Sequence, residues 1–152
     1  MKKNIINGAV IGLMLLGLTE CAGSSADNKE QLAALEHGYR AIQMMKNPDK
    51  EVQLAAVNKS YYAIQYIKNP DKEVQLAAVE QSYHAIRYIK NPDKEAQLAA
   101  VKQSYQIIQD IKNPDKDVQM AAVKNSHYAI RYIENPDVEV VKLAQKIMLE
   151  GN

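Results

Sequence analysis

The sequence lacks the features of a protein held together by covalent crosslinks or dominated by charge of one sign. Cys21 is the single cysteine among 152 residues, so an intramolecular disulfide is excluded and helix packing must supply the stability. Basic and acidic residues number 19 and 18, and they balance at 17 each from Cys21 onward. Such a neutral chain lacks the electrostatic footprint of a nucleic-acid-binding protein, and we expect no nucleic acid as a partner.

A long apolar run is also missing. The longest lies at the N-terminus, where Lys2 and Lys3 precede an apolar stretch over 5–18, which is shorter than the roughly 20 residues that span a bilayer. A charged start followed by a short apolar segment predicts an export signal.

The stretch before Cys21 resembles a bacterial lipoprotein signal, in which an apolar residue stands three positions before a cysteine that becomes lipid-modified. Leu18 and Cys21 match these positions, whereas Glu20 stands where a small residue is usual. The resemblance implies a signal peptide over 1–20 and anchoring to a membrane of the cell envelope through lipid on Cys21. Two alternatives stay open, namely soluble export after cleavage behind Ala26, and retention of the segment as an uncleaved anchor.

The rest of the sequence is one motif written repeatedly. Lys46–Ile67 reads KNPDKEVQLAAVNKSYYAIQYI, and near-identical copies follow without insertions at 68–89, 90–111 and 112–133. Residues 24–45 align as a degenerate first copy without the Asn-Pro, while 134–152 opens with Asn-Pro and then continues as one longer terminal helix. A fixed period of 22 residues predicts a repeat architecture in which units stack on their neighbours. Residues 21–28 would then lead into a repeat domain over 29–152.

Each unit predicts two short helices. Asn47 is expected to cap helix A, which would run from Pro48 to Lys59, and Ser60 is expected to cap helix B, which would run to Ile67. On an α-helical wheel the inward positions of helix B are Tyr61, Ala63, Ile64 and Ile67, and the outward positions are Tyr62, Gln65 and Tyr66. Neither helix is long enough to be stable alone, so we predict an all-α fold, an α-solenoid of short antiparallel helix pairs.

The repeated N-P-D-K-E-V-Q-L-A-A-V core resembles a family of short two-helix repeats of unknown function in bacterial, phage and large-virus proteins. It is more distantly similar to the leucine-rich-repeat variant and to HEAT-type solenoids. The resemblance covers residues 29–145. It implies a fold and carries no catalytic residues to this chain.

No arrangement of residues predicts catalysis or a cofactor. His37, His84 and His127 align with three different positions of the unit, which disfavours a shared metal site. The aspartates of the Asn-Pro-Asp motif recur at helix starts, where the helix dipole explains them, and with the following lysines they predict a solvated edge of alternating charge. Gln53 and its equivalents either form a hydrogen-bonded ladder between units or lie on a solvated edge. We therefore expect a protein that is not an enzyme, with no cofactor and no metal.

The outward positions of helix B are the ones that differ between units. They remain rich in tyrosine and arginine, which are over-represented at the centres of protein interfaces. The predicted partner-binding residues are Tyr62, Tyr66, Arg87, Tyr88, Tyr128, Arg131 and Tyr132. We expect a membrane-anchored scaffold that binds a protein, a peptide or an envelope polymer along this surface. Four alternatives remain: a solvated face with no partner, self-association, a protective or inhibitory lipoprotein of the immunity or phage-exclusion type, and an enzyme, which no motif supports.

Overall fold

The computed structural model describes residues 25–150, with side chains from Asp27 onward. The predicted signal peptide and Cys21 lie outside the described residues. Between residues 25 and 150, no helix combines the length and the apolar character needed to cross a bilayer. Six α-helices alternate with five 3₁₀ helices in the order α1 Ser25–Leu35, η1 Tyr39–Met44, α2 Lys50–Lys59, η2 Tyr61–Tyr66, α3 Lys72–Gln81, η3 Tyr83–Tyr88, α4 Lys94–Gln103, η4 Tyr105–Asp110, α5 Lys116–Asn125, η5 His127–Tyr132 and α6 Val138–Glu150.

The predicted all-α solenoid is confirmed. Each α-helix from α2 to α5 packs against the α-helices before and after it, against the 3₁₀ helix of its own unit and against that of the preceding unit. No contact joins described units that are not adjacent in sequence. The chain therefore forms one row of α-helices and one row of 3₁₀ helices, and it grows in one dimension as repeat proteins do.

The start of each α-helix differs from the prediction. The N-cap of α2 is Asp49, whose carboxylate accepts the N–H of Val52 at 3.0 Å, and Pro48 lies outside the helix. Asn47, the predicted cap, instead has a φ of 53°. Asp71 and Asp115 cap α3 and α5 in the same way. The carboxylate at the cap position satisfies helix N–H groups directly, so its role is more specific than interaction with the dipole.

The second helix of each of the first five units is a 3₁₀ helix, whereas an α-helix was predicted there. Its bonds close over three residues, as in Ala63 N–H to Ser60 O at 2.9 Å and Ile67 N–H to Ile64 O at 3.2 Å. Ser60 is the cap, as predicted, and its hydroxyl accepts the N–H of Tyr62. Only six residues separate this cap from the extended residue that leads to the next linker, and short helices often take this tighter form.

The core lies between the two rows. In a typical unit Val52, Ala56 and Val57 are buried on the α-helix, and Ala63, Ile64 and Ile67 are buried on the 3₁₀ side. The last three match the predicted inward positions of helix B, whereas the fourth, Tyr61, is only half-buried. Because the same small and branched side chains recur in each unit, the spacing between units stays uniform.

Side-chain amides hold successive α-helices in register. α3, α4 and α5 each end in an amide that donates to a carbonyl near the end of the preceding helix, and these bonds join Gln81 to Val57, Gln103 to Val79 and Asn125 to Val101 at 2.7–3.1 Å. This ladder of amide-to-carbonyl bonds was not predicted, although Gln81, Gln103 and Asn125 each stand one residue before the serine cap. The last carbonyls of an α-helix have no hydrogen-bond donor within that helix. The amide of the following unit supplies a donor to one of them.

The predicted glutamine ladder forms in part. Gln53, Gln75, Gln97 and Gln119 each donate to the proline carbonyl of their own linker at 2.8–2.9 Å. Only Gln75 and Gln119 also reach the next unit, where their Oε1 atoms accept the N–H of Asp93 and Asp137. The glutamines therefore alternate along the array between one-unit and two-unit bonding.

From Asn69 onward the linkers alternate in step with the glutamines. Among the described residues, the asparagine has a positive φ at positions 47, 69 and 113, whereas Asn91 and Asn135 do not. The two exceptions are those that precede Asp93 and Asp137, the residues bonded to the preceding glutamine. Because the linkers at 46–50, 68–72, 90–94 and 112–116 are identical in sequence, the conformation is not chosen within the linker.

The two ends of the array depart from the repeat as predicted. In the first unit α1 ends early, and Gly38 makes the turn to η1 with a φ of 133°, a conformation that glycine adopts without strain. The last unit is one longer helix, α6, and Lys142, Gln145, Lys146 and Glu150 cover its outer side.

Candidate partner-binding surface

The seven predicted partner-binding residues, here called the tyrosine stripe, all lie on 3₁₀ helices. Tyr62 and Tyr66 are on η2, Arg87 and Tyr88 on η3, and the remaining three, Tyr128, Arg131 and Tyr132, on η5. The structure divides them into an exposed set and a half-buried set.

Tyr62, Tyr88 and Tyr128 form the exposed aromatic set, with 40%, 41% and 48% of their surface open to solvent. The rings of Tyr62 and Tyr88 meet edge to face across two units, with centroids 5.8 Å apart. Tyr62 also stacks on the half-buried Tyr61 at 4.2 Å. Their hydrogen bond raises the pKa of Tyr61, and desolvation of the phenol acts in the same direction. The result is a three-ring aromatic cluster at the N-terminal part of the surface.

Tyr66 and Tyr132 are half-buried and pack against the core, so their predicted outward position is wrong. The period of the helix explains the difference. At 100° per residue Tyr66 shares an arc with Tyr62 and Gln65, but at the 120° of a 3₁₀ helix it rotates onto the side of buried Ala63. Tyr62 and Gln65, three residues apart, stay on the exposed side. Tyr88, at the position of Tyr66 in the next unit, is nevertheless 41% exposed, so the helical period accounts for Tyr66 and Tyr132 but not for every unit.

The two arginines are held by different contacts. Arg87 Nε donates to Asp110 Oδ2 in the next unit at 2.9 Å, which forms an ion pair on the exposed surface. The guanidinium of Arg131 lies 5.2 Å from the ring centroid of Tyr128 in the same helix, within the range of a cation–π contact. Both side chains therefore keep their cationic ends at the surface in defined positions.

Unit four interrupts the aromatic surface. Gln106 occupies the position of Tyr62, and Asp110 occupies the position of Tyr88 and receives Arg87. The stripe is therefore two patches, one formed by Tyr61, Tyr62 and Tyr88 and the other by Tyr128 and Arg131. In each patch an exposed tyrosine ring contacts another ring or a guanidinium.

The half-buried tyrosines line two clefts at equivalent positions three units apart. The first cleft has a volume of about 620 Å³ and contains Tyr66, Lys46 and Lys68 in its walls. The second, of about 440 Å³, contains Tyr132, Lys112 and Glu134 at the corresponding positions. Both clefts also include the Asn-Pro linker and a glutamine of the α-helix. They lie where a 3₁₀ helix ends, so they border the tyrosine stripe.

The α-helical row carries a ladder of exposed charges at the predicted solvated edge. Lys50, Lys72, Lys94 and Lys116 each contact carboxylates of the following unit, for example Lys72 with Asp93 at 3.5 Å and Lys94 with Asp115 at 3.2 Å. Hydrogen bonds to these carboxylates raise the pKa of Lys50, Lys94 and Lys116. In the described part of the chain, no three side chains of His, Cys, Asp or Glu converge as metal ligands would.

Comparison with protein-family models, with curated proteins and with solved structures finds no match for this chain, so its relation to the short-repeat family remains a prediction from the repeated motif.

Proposed function

We propose that the protein is a non-catalytic repeat scaffold that binds a protein or peptide through the tyrosine stripe. The observation that carries this proposal is the contrast between positions: the core residues are almost the same in every unit, whereas exposed residues of the 3₁₀ helices change while keeping tyrosine and arginine. A purely structural surface has no need for three tyrosines with more than a third of their area in solvent. Tyrosine and arginine supply large contact area and directed hydrogen bonds at interfaces.

The two patches suggest how the partner would be held. Tyr62 and Tyr88 meet edge to face at the exposed surface, so a partner's apolar side chain would pack on the rings while its backbone bonds the hydroxyls. Tyr128 and Arg131 offer a second contact further along the array. Because both rows of helices are fixed by packing, little conformational entropy is lost when the partner binds.

The membrane anchor is a separate part of the proposal. We infer that lipid on Cys21 tethers the scaffold to a membrane of the cell envelope, an inference supported by the apolar segment 5–18 and by Leu18 at the matching position. Replacing Cys21 with Ser removes the acceptor for the lipid. The variant is expected to leave the membrane fraction of lysed cells, and unchanged fractionation would overturn the anchor.

The stripe is tested by crosslinking in intact cells followed by purification of the full chain. The test variant carries Tyr62→Ala, Tyr88→Ala and Tyr128→Ala, and the matched control carries Gln65→Ala, Gln106→Ala and Gln109→Ala, which are exposed on the same row of helices. The tyrosine variant is expected to lose the crosslinked partner, because hot-spot tyrosines each contribute about 2 kcal/mol or more. The glutamine variant is expected to keep it.

Circular dichroism of both variants separates binding from folding. Retention of the partner by the tyrosine variant would overturn the proposal. Equal loss from both variants, each with wild-type helicity, would also overturn it, because binding would then not depend on the tyrosines.

A further inference from the structure

Each of the four units between residues 46 and 133 begins with Lys-Asn-Pro-Asp-Lys, and its two lysines have different surroundings. The second lysines, at 50, 72, 94 and 116, contact carboxylates of the next unit, and we call them the paired lysines. The first lysines form a row that we call the lysine edge, made of Lys46, Lys68, Lys90 and Lys112. All four are exposed, and among the described residues none makes an ion pair.

The lysine edge is a line of uncompensated charge on a neutral protein. Packed helices lie about 8–10 Å apart, so successive lysines are about one Debye length from each other at physiological ionic strength. Salt therefore partly screens each charge from the next, and a chain lying along the row would meet the four charges in succession. The next column on the α-helical side contains Asp49, Asp71, Asp93 and Asp115, which restricts the positive strip to about one residue in width.

Uncharged hydrogen-bonding groups alternate with these lysines. Asn47, Asn69, Asn91 and Asn113 follow them directly and are exposed, and within residues 27–150 their side-chain amides have no hydrogen-bond partner. At both ends of the row a cleft contains an edge lysine and a half-buried tyrosine, Lys46 with Tyr66 and Lys112 with Tyr132. The first cleft also contains Lys68, whereas the second contains Glu134, so the first is the more positive of the two. Ammonium, amide and aromatic groups thus recur in one line.

We propose that the lysine edge binds an acidic polysaccharide that lies along the array. The ammonium groups pair with sugar carboxylates, the asparagine amides bond sugar hydroxyls, and Tyr66 and Tyr132 provide aromatic surface for sugar rings in the clefts. The narrowness of the strip favours a thin chain over an anionic bilayer, because a broad negative surface would also meet the neighbouring aspartates. This site shares Tyr66 and Tyr132 with the tyrosine stripe, but it contains none of the residues of the two exposed patches, and it does not depend on those patches having a partner.

The test uses the full chain in detergent with fluorescently labelled polygalacturonate, and binding is measured by anisotropy. One variant replaces Lys46, Lys68, Lys90 and Lys112 with Gln, and the control replaces the four paired lysines with Gln. Both variants lose the same number of charges, so only the position differs. The edge variant is expected to bind about 30-fold more weakly or worse, since each exposed charge contributes a few-fold, whereas the control stays within about threefold of the wild type. Polygalacturonate with its carboxylates fully methyl-esterified is expected not to bind.

Three further measurements complete the test. Arg at the four edge positions is expected to restore binding, and added salt is expected to weaken it. The variant with Tyr62, Tyr88 and Tyr128 replaced by Ala is expected to bind the polysaccharide as the wild type does, which separates this site from the proposed function.

Several outcomes would overturn the proposal. The first is an absence of wild-type binding, and the second is an equal loss in the edge variant and the control. The third is lysine-edge-dependent binding to phosphatidylglycerol vesicles, compared with phosphatidylcholine vesicles, in the absence of polysaccharide binding, which would assign the edge to a membrane surface. Circular dichroism of each variant confirms that it is folded.

Discussion

The two rows of helices differ in the contacts that join neighbouring units. The α-helical row joins neighbouring units by polar side chains, through the amide-to-carbonyl bonds of Gln81, Gln103 and Asn125 and through the paired lysines. The 3₁₀ row has few such bonds among its own described helices, Arg87 to Asp110 being the clearest. Its helices meet their neighbours mainly through buried isoleucine and alanine.

This difference explains where the sequence is free to vary. An α-helix in the middle of the row donates a side-chain hydrogen bond to the preceding helix and accepts one from the following helix. A substitution at such a position therefore affects two units. An outward position of the 3₁₀ row contacts little that specifies its identity. Variation in a repeat protein concentrates on the surface where stacking does not restrict it, and that surface is then available for binding.

The largest expected effect separates the inside of one 3₁₀ helix from its outside. Ile86 is 2% exposed and Tyr88 is 41% exposed in the same six-residue helix. Ile86→Ala is expected to lower the free energy of unfolding by about 3 kcal/mol, because it leaves a cavity between two units. Tyr88→Ala is expected to cost less than about 1 kcal/mol, since its ring is 41% exposed and meets Tyr62 edge to face at the surface.

Urea denaturation followed by circular dichroism measures both values. If Tyr88→Ala were as damaging as Ile86→Ala, the tyrosine would belong to the core, and the division of η3 into a structural and a variable side would be wrong.

The next expected effect compares the two rows directly. Gln103 donates to the Val79 carbonyl at 2.7 Å and its Oε1 accepts the N–H of Tyr83 at 3.2 Å. Gln103→Ala removes both bonds and is expected to cost about 1–2 kcal/mol. Gln106 lies three residues later on the exposed side of η4, and among the described residues its side chain makes no hydrogen bond. Gln106→Ala is therefore expected to change the free energy of unfolding by less than about 0.5 kcal/mol.

The same denaturation experiment serves here. Equal values for the two glutamines would mean that solvent replaces the ladder without cost, and that apolar packing alone keeps the α-helical row in register.

The sequence predicted the repeat, the core and the two terminal units, because a fixed period and its departures are visible in the residues themselves. Val52, Ala56 and Ile64 are buried as their spacing indicates. The prediction was wrong where the orientation of a side chain depended on the assumed helical period. Tyr66 was placed outward on an α-helical wheel, and the tighter 3₁₀ turn carries it toward the core.

The hydrogen-bond partners in the amide-to-carbonyl ladder could not be predicted from the sequence either. Gln81 and Val57 are 24 residues apart, and no local pattern shows that an amide at a helix end will reach the preceding unit. The cap position was misplaced for a related reason. Asn47 and Asp49 are both good caps, and the choice depends on the linker conformation, which a propensity does not contain.

The smallest expected effect tests the linkers that connect the two rows. Asn113 has a φ of 47°, in the left-handed region that glycine occupies more readily, whereas Asn91 in an identical linker does not. Asn113→Gly is therefore expected to leave the free energy of unfolding unchanged within about 0.3 kcal/mol, because relief of the backbone offsets the greater freedom of the unfolded chain. Asn91→Gly gains no such relief and is expected to cost about 0.5–1 kcal/mol.

Denaturation of the two variants under the same conditions gives the difference. A stable Asn113→Gly beside a weakened Asn91→Gly would show that the alternation of linkers exists in solution and that the α-helical row, through Gln75 and Asp93, fixes the conformation that the linker itself leaves open. Equal effects would mean that both linkers share one conformation, and the glutamine bonds would then extend equally across all units.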